Sequence, residues 1–416
     1  MESGNHQSVK RRQVFYVPGY DPFPPRRYRE LYRKESALQA AISGYQIGLA
    51  AKPSSETYGW RAASKINGVT IVADFEVLSW SDIVRDSMPA SILATYWQLL
   101  HTSWIYIVSG TLRRLMWMRK GPVIAALYPV GMLLLQLFAG VFVGWFVAAV
   151  LEGLVSNLLG LVGWSVAFPW FVTFPIVFVI CAIVLRSFKK HDRKTYAYYL
   201  MNDYAFSARQ KGETPRELTA RMAEFEGRIA EALRSDVDEV LIVGHSSGAH
   251  IAISVLANLL KSSNLKADGP KLGLLTLGQV IPMVSFLPKA ETLRGDLANL
   301  STNGAITWID VSAPGDGCCF ALCDPVAVSG VASHDQKWPV IISAAFSQTL
   351  APDRWQDLKR KYFRLHFQYL CSFDRPKDYD YFQITSGPLS LQDRYRGRAS
   401  SKSRIDVVAS KYSSTT

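Results

Sequence analysis

The stretch "DEVLIVGHSSGAHIAISVLANLL", from Asp238 to Leu260, sets one serine, Ser246, between glycines at 244 and 248. A serine hydroxyl attacks a carbonyl only when a base takes its proton and nearby donors receive the charge that develops on oxygen. A sharp turn at the C-terminal end of a buried strand suits that chemistry, provided glycines leave room where the backbone folds back on the following helix. Leu241, Ile242 and Val243 supply such a strand, Gly244 and Gly248 the room, and Ala249, Ala252 and Val255 an apolar helix face. The start of that helix also places backbone N–H groups beside Ser246. Gly-x-Ser-x-Gly alone occurs by chance in about one chain of this length in ten, so the strand-turn-helix context carries the reading. The competing reading is an inert serine in an ordinary turn.

With these residues the chain resembles the α/β-hydrolase superfamily, and within it the lipases and esterases that carry Gly-His-Ser-x-Gly. The resemblance covers most of the chain outside an apolar central region and is specific only around Ser246. It implies the order serine, acid, histidine along the chain; no cofactor and no metal are expected. It also implies two oxyanion donors, the N–H of Ser247 and one from the loop after an earlier strand. "VFYVPGYDP" matches that loop with Tyr20 as donor, although Pro18 stands where many members have histidine. Pro-Gly-Tyr-Asp is equally an ordinary turn.

For the acid, "AITWIDVSAPGDGCCFALCDPV" offers Asp310 inside a strand pattern, Asp316 in a Pro-Gly turn, and Asp324 in an Asp-Pro-Val similar to the Asp-x-Val of some lipases. We favour Asp316 and keep Asp324 as the alternative; either also suits a turn aspartate that bonds its own backbone. Of seven histidines, His6, His101 and His191 precede the serine, while His245 and His250 belong to the turn and its helix. His334 follows Asp316 closely, leaving little chain for another strand; His366 lies farther on among aromatics in "KYFRLHFQYL". We favour His366, with His334 as the alternative. The implied reaction has His366 take the Ser246 proton, Ser246 attack an ester carbonyl, Asp316 steady the imidazolium, and water release the acyl group.

The elements that must position these groups follow from periodicity. A buried strand is expected over 13–17, a helix over 27–45, and two strands within "TYGWRAASKINGVTIVADFEVL" joined at Asn67-Gly68, a hairpin signal. "SWSDIV" suits a helix start, and "KTYAYYLMNDYAFSARQ" and "TPRELTARMAEFEGRIAEALRS" read as helices, the second with Pro215 at its first position. Strands "DEVLIVG", "KLGLLTLGQ" and "AITWIDVSA" then alternate with helices at "AHIAISVLANLLK" and near 289–300. That alternation predicts an α/β fold, an α/β-hydrolase-like and mostly parallel sheet with helices on both faces.

Composition adds a membrane. The 416 residues are 49% hydrophobic yet carry 46 Lys+Arg against 34 Asp+Glu, both apolar and basic. Between 121 and 185 the only charged residue is Glu152, and each half of that region exceeds the roughly 20 residues needed to span a bilayer. The flanks "LRRLMWMRK" and "RSFKKHDRK" are basic, whereas the connection "LEGLVSNLLGLVGW" has no Lys or Arg, so both flanks are expected in the cytosol. The segment 89–112 lacks charge as well. Its apolar residues at helical spacing, with Ser91, Thr95, Gln98 and Ser103 between them, predict a helix lying in the interface rather than a third span. Parity agrees: two strands in one sheet on either side of the hairpin require an even number of crossings. No signal peptide is expected from "MESGNHQSVKRRQ".

Five cysteines without a disulfide pattern fit a reducing compartment, and Cys318, Cys319 and Cys323 lack the spacing of a zinc site. The expected division is a flexible 1–12, a first domain part 13–88, an interfacial helix and basic flank 89–120, a transmembrane hairpin 121–186, a second domain part 187–386 and a loose basic tail 387–416. The expected activity is that of a membrane-anchored serine hydrolase with both termini and its catalytic domain in the cytoplasm. Its expected partners are the lipid bilayer and an acyl ester, with a lipid as one candidate for the ester. Nucleic acid is not expected, because much of the net charge of +12 borders the hairpin or lies in the tails. The alternative is a catalytically inactive scaffold on the same fold; a transporter is disfavoured, since two helices with one acidic residue form no polar pathway.

Overall fold

The computed structural model describes residues 8–52, 57–89, 91–164, 167–262 and 269–416. The chain divides into two compact units: one of residues up to Asp86 with Tyr106–Val123 and Gln210–Thr416, the other of Ser87–Ile105 and Ile124–Arg209. Thus 106–120 belongs with the first unit and 187–209 with the second, unlike the expected division at 88, 120 and 186.

The first unit is an α/β fold around a mixed eight-stranded sheet. Its strands are β1 (Arg11–Val17), β2 (Gln46–Ala51), β3 (Gly59–Ile66), β4 (Val69–Val77), β5 (Glu239–His245), β6 (Lys271–Leu277), β7 (Ile306–Ser312) and β8 (Val340–Ser343). Their spatial order is β2-β3-β4-β1-β5-β6-β7-β8. β1 lies parallel between β4 and β5, with Val14 opposite Leu241 and Tyr16 opposite Val243. β5 through β8 continue parallel, whereas β3 runs antiparallel to both β2 and β4. β5 and β7 are buried at all seven positions, so both faces are covered, which explains their unbroken apolar runs. One face meets the aromatic side of helix Arg26–Ser43, where Tyr28 and Tyr32 join Phe75, Leu241, Leu275 and Ile309 in a single core.

The turn between β3 and β4 has Asn67 at φ 51° and Gly68 at φ 79°. Two consecutive positive φ values are what an Asn-Gly hairpin turn requires. β2 went unread in the sequence: "QIGLAA" is a mostly exposed edge strand with neither a buried run nor clean alternation.

The ends of the chain differ from expectation. β1 begins at Arg11 rather than at 13, because Arg12 is buried and donates through Nε to Glu239 Oε2 at 2.6 Å. Residues 387–416, expected to be loose, lie along the domain. Arg12 also donates to the carbonyls of Gly387 and Leu389, and the Leu391 N–H donates to Glu239 Oε1 at 2.6 Å. Farther on, Ile405 exchanges backbone hydrogen bonds with Leu322 and Asp324, and buried Arg294 donates to the Ser414 carbonyl. Composition marks this segment as solvent-loving; its backbone pairing leaves no compositional trace.

Among the described residues two helices are long and apolar enough to cross a membrane: Lys120–Gly160, which belongs to the second unit from Ile124 on, and Trp170–Lys190. The first runs through "LEGLVSNLLG", expected as the connection; 41 residues make about 60 Å of helix, twice the hydrocarbon core. Nothing in that stretch breaks a helix except isolated glycines, which an apolar helix tolerates. The two helices approach closely where Gly140 and Gly144, a Gly-x-x-x-Gly pair, face Cys181 and Val177: a Cβ on Gly144 would lie 2.8 Å from the Val177 carbonyl oxygen. Small residues at this spacing let backbones touch in lipid. Helix Ile92–Val108 exposes Leu93, Trp97, Leu100 and Trp104 in one stripe and buries Thr95, Leu99 and Thr102 on the other side. Its outward face is therefore apolar.

Candidate functional site

Four strand ends of the first unit converge at their C-terminal edge. After β5 the chain turns at Ser246, whose φ of 56° is left-handed, and enters helix Gly248–Ser262. A non-glycine residue in that region is strained, and the strain is held by the Ser246 N–H donating to the Leu277 carbonyl at the end of β6 at 2.9 Å. The loop after β1 closes on the turn from the other side. A Cβ on Gly19 would lie 3.0 Å from Ser246 Cβ, and one on Gly248 only 2.2 Å from the Val17 carbonyl oxygen and 2.6 Å from that of Pro18. A Cβ on Gly244 would meet Ala249 Cα at 2.8 Å. Gly248→Ala is therefore expected to push the β1 loop off the turn and cost about 1–3 kcal/mol or more. Thermal melting checks this against Gly227→Ala, an open mid-helix site where alanine gains about 0.5–1 kcal/mol; equal melting temperatures for the two variants would refute the close approach.

Asp316, in the loop after β7, is buried and fully partnered. Its Oδ1 accepts the Cys318 N–H at 2.9 Å; its Oδ2 meets His366 Nδ1 at 2.7 Å and the Tyr369 hydroxyl at 3.0 Å. Burial alone would raise this carboxyl, but the adjoining His366 ring and the converging hydrogen bonds outweigh it and hold Asp316 below its ordinary range. A carboxylate accepts, so His366 carries its proton on Nδ1 and leaves Nε2 for other work.

His366 ends the short helix Tyr362–His366 and sits beside the end of β6, where a Cβ on Gly278 would meet its Cε1 at 3.1 Å. Its backbone carbonyl accepts from His245 Nε2 at 3.0 Å, and the two rings lie 4.9 Å apart. Burial first, then His366, pushes His245 down to about 3, so it stays neutral and serves as a brace between strand and helix. Ser246 is half-buried, and its Oγ has no hydrogen-bond partner among the described residues.

The expected residues thus separate. Ser246, Asp316 and His366 gather at one edge of the sheet. Asp324 instead caps the helix Pro325–Val328, accepting from the N–H groups of Val326 and Ala327 and from Gln336, and His334 is exposed. Asp310 is sealed inside β7, where its carboxyl is pushed up to about 7 by burial and accepts from Thr276. Tyr20 departs from its expected role. Its backbone N–H donates to Ser247 Oγ at 2.8 Å, so the serine hydroxyl occupies the amide that was to face an oxyanion. The Ser247 N–H itself has no acceptor among the described residues.

Sequence reasoning missed His245 and Tyr369 as braces. Tyr369 accepts the Ala313 N–H at 3.0 Å while donating to Asp316, which ties the acid to the strand end. Its spacing of three from His366 was a signal, since residues three apart share a helix face.

One ligand atom each from Asp316, Cys318 and His366 lies within 4.8 Å of the others. Asp316 and His366 already hold each other at hydrogen-bond distance, so a cation would have to displace that bond. The arrangement provides a carboxylate-oriented imidazole, a serine on a strained turn and a free amide one residue on, the parts of a nucleophilic acyl transfer. Comparison with protein-family models, with curated proteins and with solved structures finds no match to this chain.

Proposed function

We propose that the protein is a membrane-anchored serine hydrolase of the esterase or lipase type, cleaving an acyl ester on the cytoplasmic side. The observation that carries this is the 2.7 Å contact of Asp316 with His366 Nδ1, built beside the left-handed turn at Ser246. In this reading His366 Nε2 takes the Ser246 proton as Oγ bonds the acyl carbon, and the Ser247 N–H stabilises the oxyanion. As the tetrahedral intermediate collapses, His366 passes the proton to the departing alkoxide. Water, deprotonated by the same nitrogen, then attacks the acyl-enzyme and frees the acid, and Ser246 recovers its proton.

Its α/β-hydrolase-like character rests on the strand-turn-helix at Ser246 and on the acid and histidine following in chain order. Membrane anchoring rests on the two apolar helices, with basic residues at Arg113, Arg114, Arg119 and Lys120 before them and at Lys189, Lys190, Arg193 and Lys194 after them. Because β1 and β5 are neighbours, the intervening chain returns to the side it left, and two crossings satisfy that.

A second reading, a non-catalytic scaffold on the same fold, is favoured by one observation: the Tyr20 amide is spent on Ser247. A fluorophosphonate probe separates the two. The hydrolase reading expects a covalent adduct mapped by mass spectrometry to Ser246, in a protein that alkaline carbonate does not extract from membranes. Folded protein that takes up no probe supports the scaffold.

A further inference from the structure

Within the second unit, a cavity of about 1030 Å³ lies between helix Ile92–Val108 and the helices Lys120–Gly160 and Trp170–Lys190. We propose that it is a binding site for one anionic phospholipid of the surrounding bilayer, an inference that rests on the membrane-anchored reading above. Its volume is at the upper end of ordinary ligand sites, about 300–1,000 Å³. The walls are almost wholly apolar, with Tyr96, Leu137, Val141 and Phe178 among them, and among the described residues the charged ones lining it are Arg186 and Lys189.

The charges are not scattered. Both lie in the last turns of helix Trp170–Lys190, whereas Trp145 and Phe174 mark the far end of the cavity. From Phe174 to Lys189 the helix rises about 22 Å, close to half of a bilayer's roughly 40–45 Å counted with its headgroup layers. Lys189 is steadied there, its Nζ donating to the Pro89 carbonyl at 3.1 Å. An apolar slot one leaflet deep with two cations at the headgroup level matches an acyl chain carrying a phosphate, and it disfavours an apolar helix from another chain, which carries no charge complementary to those cations.

The experiment uses the full chain reconstituted in phosphatidylcholine vesicles containing a small amount of a chain-diazirine lipid, either phosphatidylglycerol or phosphatidylcholine. Adducts after irradiation are mapped by mass spectrometry. Phosphatidylglycerol is expected to mark the cavity residues about tenfold more than phosphatidylcholine. Arg186→Gln with Lys189→Gln should abolish that preference, and Ala182→Trp, which fills the slot and keeps both charges, should abolish cavity labelling by either lipid. Equal labelling by the two lipids, or adducts spread evenly around the hairpin, would overturn the lipid site while leaving membrane anchoring intact. Extraction of the chain by alkaline carbonate would overturn both.

Discussion

Asp316→Asn is expected to slow fluorophosphonate labelling of Ser246 about 10⁴-fold, the size of effect seen when a triad carboxylate is replaced by its amide. The isostere keeps an acceptor for the Cys318 N–H, but its NH₂ group now faces His366 Nδ1. To avoid opposing two donors the imidazole must move its proton to Nε2, the nitrogen that has to accept from serine. The pH dependence has a definite sign. Because Asp316 is held below the ordinary carboxylate range, the contribution of its charge is fully present above about pH 4 and is lost only as pH falls through the lowered value. Titration of the carboxylate itself should therefore add no pH dependence to wild-type labelling from mildly acidic to mildly alkaline pH and should weaken it only in stronger acid. Labelling rates measured across that range, with thermal melts of both proteins, check this. A variant that melts like wild type and labels within tenfold of it would remove Asp316 from the mechanism.

The second large effect concerns stability. Arg12→Ala should cost about 3–5 kcal/mol, because Glu239 would stay buried after losing its 2.6 Å ion pair. Both side chains are fully shielded from solvent, and between them they hold β1, β5 and the segment from Gly387 to Leu391. A loss of that size lowers the melting temperature by about 10 °C in a domain this large. Arg12→Met combined with Glu239→Gln should recover most of it, since no bare charge remains. If the single variant melts within a degree or two of wild type, the pair does not hold the sheet together.

Both effects bear on how far the site can be read along the chain. The turn at Ser246 was legible because its determinants are local: a β-branched run, two glycines at the close approaches, and an apolar helix pattern, all within a few residues. Asp316 and His366 could be ranked against Asp324 and His334 but not separated from them, because each pair is alike in composition and the distinction is one of long-range contact. Asp324 is consumed by its own helix cap, a local bond that a sequence can suggest but not rank against a distant imidazole. Tyr20 was misread for a related reason. The loop does reach Ser246, yet the direction of a single N–H depends on a neighbouring hydroxyl that the pattern treats as filler.

Along the chain alone, side-chain periodicity and its consequences can be read. The alternation of strands and helices, the Asn67-Gly68 turn and the two long apolar helices all follow from side-chain spacing and backbone preference. Tertiary structure alone decided the rest. It placed β1 between β4 and β5 in a mixed sheet, laid the polar C-terminal segment along the domain, and chose which carboxylate meets which imidazole. These outcomes depend on hydrogen bonds and buried charges between residues far apart in the chain, 50 positions for Asp316 and His366 and 227 for Arg12 and Glu239. Such pairings exist only once the chain has closed, and no local spacing encodes them.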